Sequence, residues 1–153
     1  MLSDDVYKTR LRSTVAALEA WLAGLRAVTS AEIGGDEASW RAAVVPSVPE
    51  GCPFELVLRI DQRFDLSVGR ETYEDQPVGS LDLFQPLLTA IAGGHVITRT
   101  WCTTATGSVV RIETIVAPAG GPPWIGERHL MRALEADELI RHDRYYAPYA
   151  RGA

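Results

Sequence analysis

The chain has 153 residues, 46% of them hydrophobic and 23% charged, with a formal net charge of −5. That length suits one domain with a core able to stand without metals or disulfide bonds, and the acidic balance argues against general binding to nucleic acid or an anionic membrane. The two cysteines, Cys52 and Cys102, show no metal-ligand spacing and read as free thiols.

Residues 1–5 have neither the basic start nor the apolar run of an export signal, and no later stretch approaches a membrane span, so a cytoplasmic location is expected. Only Lys8 among the fifteen basic residues is a lysine, which points to a GC-rich bacterial coding sequence. Leu11, Val15, Leu18, Leu22 and Leu25 then recur at helical spacing, with Ser3 or Asp4 as N-cap and acids in the first turn. The spacing predicts a helix over residues 4–27. Its stripe serves as a lid over a sheet, while Trp21 beside Leu22 widens it enough to make these two residues candidates for partner contact. Residues 29–53, broken by Gly34-Gly35, Pro46, Pro49, Gly51 and Pro53, read as a connector packed through Trp40.

Residues 54–116 read strand, strand, helix, strand, strand. Phe54, Leu56, Leu58 and Ile60 alternate with polar residues, and so do Phe64, Leu66 and Val68. A three-residue loop at 61–63 keeps the two apolar sets in phase, pairing Leu58 with Leu66 and Arg59 with Asp65. A helix from about Leu81 to Ala92 follows, capped by Ser80, stopped by Gly93-Gly94 and flawed by Pro86. The last two strands turn at Thr106-Gly107, which sets Trp101 against Ile112 and Ile97 against Val116 on an apolar face. Beyond them, Ile125, Leu130, Met131 and Leu134 suggest a C-terminal helical segment over 125–141, and 142–153 form an aromatic tail.

The expected architecture is therefore a single α+β domain over 1–153. It is a two-layer sandwich: a four-stranded antiparallel sheet of two hairpins, covered on one face by the N-terminal helix, the central helix and C-terminal helices.

No P-loop, no GxGxxG, no GxSxG elbow and no HExxH spacing occurs in the chain. No catalytic residue, cofactor or metal is assigned. Arg99 falls on the face of Ile97 and Trp101, where a guanidinium needs a partner. With His95 four residues away, His95, Arg99 and Trp101 form a candidate ligand-binding set that would anchor an anion. The residue types of Tyr145, Tyr146 and Tyr149, with arginines nearby, are those that dominate protein interfaces, and the same tyrosines would equally tie down the terminus by packing. The leading expectation is a non-catalytic, adaptor- or chaperone-like interaction protein that self-associates or holds a protein partner. The alternatives are a small-molecule binder or enzyme with its pocket at Arg99, and an inhibitor or immunity factor of a phage or mobile element. Neither nucleic acid nor membrane is expected as a partner.

Overall fold

Tyr7, Leu11, Leu18 and Leu22 are the buried residues of α1 (Asp4–Gly24), one stripe of a helix whose first turn carries Asp4 and Asp5. The computed structural model describes residues 1–134 and 136–150. In it that stripe lies on a five-stranded antiparallel meander of β1 (Thr29–Gly35), β2 (Ser39–Pro46), β3 (Phe54–Arg59), β4 (Arg63–Val68) and β5 (Glu71–Pro77). Alternation along β2, β3 and β4 sends Trp40, Ala42, Val44, Phe54, Leu56, Leu58, Phe64, Leu66 and Val68 to one buried face. Trp21 of α1 packs on Phe54 there, and Trp40 Nε1 donates to Glu19 of α1 at 2.9 Å.

A 3-10 turn at Leu81–Leu83, capped by the Ser80 hydroxyl, leads into α2 (Phe84–Ala92). Pro86 is accommodated because it falls in the first turn of α2, where an N–H has no intrahelical partner. Phe84 meets Phe64 edge to face at 5.0 Å, so α2 lies on the same sheet face as α1.

The second sheet has the order β8-β7-β6-β9, with β6 (Val96–Thr103), β7 (Val109–Val116), β8 (Trp124–His129) and β9 (Leu139–Tyr145). Its inner face joins the common core through Val96 and Val116. Tyr73 of β5 crosses between the sheets, where its hydroxyl donates to Thr114 Oγ1 at 2.7 Å and its ring meets Trp124 edge to face. Gly126 makes room for that ring, because a Cβ there would stand 2.6 Å from two of its atoms. Glu71, buried at the joint, is held by Arg128 of β8 through two N–H donors at 2.8 and 3.2 Å.

The chain then returns to the first sheet. Ala147 bridges Gly51, the Tyr149 hydroxyl donates to the Cys52 carbonyl, and the Tyr149 N–H donates to Ala92 at the end of α2. Gly94, at φ +79°, passes so close to this segment that a Cβ would lie 2.8 Å from the Pro148 nitrogen.

The α+β class with antiparallel sheets stands; the single four-stranded sheet does not. Nine strands form two sheets, and two α-helices are present among the described residues. The 29–53 connector contains the β1–β2 hairpin, and the segment expected to be helical over 125–141 carries β8 and the start of β9. The first helix ends at Gly24, short of residue 27. The 142–153 tail is split: residues up to Tyr145 complete β9, Tyr146 to Ala150 form the return, and 151–153 lie outside the described residues. No helix among the described residues is long and apolar enough to cross a membrane.

Candidate functional site: the outer face of the second sheet

Register fixes which side chains the second sheet turns away from the core. Trp101 pairs with Arg111, Arg99 with Glu113 and Ile97 with Ile115. Across the flanking strands these rows continue to His129, Glu127 and Ile125 on β8, and to Arg141, Asp143 and Tyr145 on β9. The expected pairing of Trp101 with Ile112 is thus off by one residue, and such a slip turns one strand over. The cause is the connection. The ladder shifts register between Trp101 and Cys102, where Val110 of β7 is the extra residue, and hydroxyls link across the turn, Thr103 to Thr106 at 2.8 Å and Thr106 to Ser108 at 2.7 Å. Arg99 and Trp101 consequently face outward, not into the core.

The outer face has an ionic centre and an apolar surround. Arg99 stands 3.8 Å from Glu113 and 3.7 Å from Asp143, which also lies 3.3 Å from Arg141. The Arg99 Nε and Asp143 Oδ1 are shielded from solvent and make no hydrogen bond among the described residues. Beside them the Arg111 guanidinium lies 3.9 Å over the Trp101 ring, a cation–π pair. Ile97 and Ile115 are half-buried, whereas Ile125 is 51% and Tyr145 68% exposed. Arginines 99, 111 and 141 balance Glu113, Glu127 and Asp143, so the face carries no excess of either charge.

Of the residues singled out in the sequence, Arg99, Trp101 and Tyr145 share this face and the others lie elsewhere. His95 is exposed and lines a groove of about 810 Å³ between α1 and α2, with Ala17, Asp82, Gln85 and Thr89, and neither Arg99 nor Trp101 reaches that groove. Trp21 and Leu22 face the first sheet, Leu22 fully buried. Tyr149 is buried by the return segment, and Tyr146 is half-buried with its hydroxyl 3.4 Å from Thr98 Oγ1. Tyr145 alone of the three tyrosines is open. The residues that sequence reasoning missed are Ile125 and Asp143, which only the correct register assigns to this face.

Both cysteines are free thiols. Burial pushes the Cys52 thiol up to about 12, so it stays protonated and unreactive near neutral pH. Among the described residues no group of three or more His, Cys, Asp or Glu side chains is placed to share a metal ion. Comparison with protein-family models, with curated proteins and with solved structures finds no match.

Proposed function

We propose that the chain is a non-catalytic interaction protein that assembles as a homodimer through the outer face of its second sheet. The observation that carries this reading is the exposed pair Ile125 and Tyr145 on one face with the half-buried Trp101 under Arg111. Aromatic and arginine side chains dominate binding energy where they are desolvated together. The second copy is chosen by charge. Three positive and three negative side chains on one surface complement the same surface turned about a two-fold axis, while a strongly acidic or basic partner gains nothing from it.

Native mass spectrometry of the untagged protein at micromolar concentration is expected to give the dimer mass. Ile125→Glu and Tyr145→Glu, both at exposed positions, are each expected to weaken the dimer by about tenfold or more without changing the circular dichroism spectrum. A wild-type monomer, or variants that stay dimeric, would reject the reading.

A second reading rests on the α1–α2 groove, whose volume falls in the range of small-molecule sites and whose wall supplies Asp82, Gln85, Thr89 and His95 as polar groups. A monomer carrying a small added mass in the same spectra would favour it.

A further inference from the structure

Between α1 and the β1–β2 turn lies a second groove, of about 490 Å³. Its floor is apolar. Leu11 and Val15, one turn apart on α1, form it with Trp40 of β2 and Ile60 at the end of β3; Leu11 and Trp40 are buried, Val15 and Ile60 half-buried. Its rims are charged and opposite in sign. Lys8 and Arg12, also one turn apart on the helix, line one side, and Asp36 and Glu37 of the turn line the other, all four exposed.

Two cations and two carboxylates around one groove would ordinarily close on each other. Among the described residues no ion pair joins these rims. On the outer face of the same sheet, by contrast, Arg41 reaches Glu55 at 2.8 Å and Arg59 reaches Asp75 at 3.2 Å. The acidic rim is also preorganised, because Asp36 Oδ1 accepts the Ala38 and Ser39 N–H groups at 2.8 and 3.0 Å, so the turn itself holds that carboxylate.

We infer that this groove binds a short apolar peptide with free termini. Lys8 and Arg12 hold the peptide's carboxylate, Asp36 and Glu37 hold its ammonium group, and an apolar side chain covers the floor. Charge selects this ligand. The lining charges sum to zero, so a plain anion or cation is repelled at one rim as it is attracted at the other, and a molecule with both signs at separate ends satisfies both. A free amino acid carries both charges on one carbon, whereas each further residue sets them about 3.3–3.6 Å farther apart. The volume, in the small-ligand range, admits only a few residues. A second copy of this chain is the wrong occupant, because a two-fold axis brings concavity against concavity and leaves both floors unfilled. The groove shares no residue with the dimer face or with the α1–α2 groove, so the inference depends on neither reading above.

The test is an amide NMR titration of the isotopically labelled full-length protein with the tripeptide alanyl-leucyl-alanine. Signals of Lys8 to Val15 and of Asp36 to Trp40, the Trp40 indole included, should shift along one saturating curve. The N-acetylated and the C-amidated tripeptides should each bind about fivefold more weakly, a loss in the range of two exposed charge contacts. Lys8→Gln combined with Arg12→Gln should weaken the free peptide similarly and abolish the preference for carboxylate over amide, while the preference for a free amine survives. Asp36→Asn combined with Glu37→Gln should do the converse, the asparagine keeping an oxygen to cap the turn. The helix-side pair decides the matter if the acidic-side pair disturbs that turn. No saturable shift, shifts at another groove, equal affinity for the capped peptides, or a helix-side variant that still prefers the free carboxylate would each overturn the inference.

Discussion

Replacing Tyr149 by alanine should cost about 3–5 kcal/mol, the range for deleting a large buried aromatic ring. Urea denaturation would report it as a fall in midpoint. The ring is 2% exposed and belongs to the common core, and its main chain is pinned to Ala92 while its hydroxyl reaches Cys52. Tyr149→Phe keeps the ring and loses only the donor, so it should cost about 1–3 kcal/mol, the range for orphaning a buried carbonyl. A pH series adds a second readout. Burial raises the Tyr149 phenol well above its ordinary range and the Cys52 thiol to about 12. Both folded values lie above the unfolded ones, near 8.5 for a thiol and about 10 for a phenol, so their stabilisation is complete below about pH 8 and is lost as pH rises. Stability should fall through the alkaline range, less steeply in Tyr149→Phe. Equal midpoints for wild type and Tyr149→Ala would disprove the role of the return segment as a tie between the sheets.

Gly126→Val should destabilise by about 1–3 kcal/mol or force the two sheets apart, because a side chain there enters the Tyr73 ring and approaches Trp124. A double-mutant cycle isolates the cause. Combined with Tyr73→Ala, the valine should cost much less than it does alone, since the ring it strikes is gone. Additive losses would mean that Gly126 is needed for some reason other than the passage of Tyr73.

How far the sequence discloses this fold depends on what each strand packs against. The first helix was legible because its stripe meets a continuous apolar face. The β3–β4 hairpin was legible in its faces but not in its pairing. Leu58 faces Phe64, two positions from the expected register, which leaves Phe54, Leu56, Leu58, Phe64, Leu66 and Val68 on one side. A shift of two preserves the faces; the shift of one at the β6–β7 connection reversed them, and with them the placement of Arg99 and Trp101. The β1–β2 hairpin was hidden because β1 buries no residue of its own and so shows no alternation. β8 was hidden for the opposite reason. Its inward position 126 holds a glycine where an apolar residue would have signalled a strand, because the space belongs to a tyrosine 53 residues earlier. β9 is mostly polar and exposed, and its pairing to β6 is long-range. The candidate site inherited these limits. Tyr145, Trp101 and Arg99 were recognisable by type, but their common face depends on strand pairings that local pattern does not carry.

The contact between Tyr149 and Cys52 spans 97 positions, and that span has a kinetic meaning. Closing so long a loop costs entropy that no neighbouring contact offsets in advance, whereas the β3–β4 hairpin, the β6–β7 hairpin and α2 each form from residues close in sequence. The joint is therefore expected to close late in folding, so that Tyr149→Phe should speed unfolding more than it slows refolding in stopped-flow kinetics, a φ-value near zero.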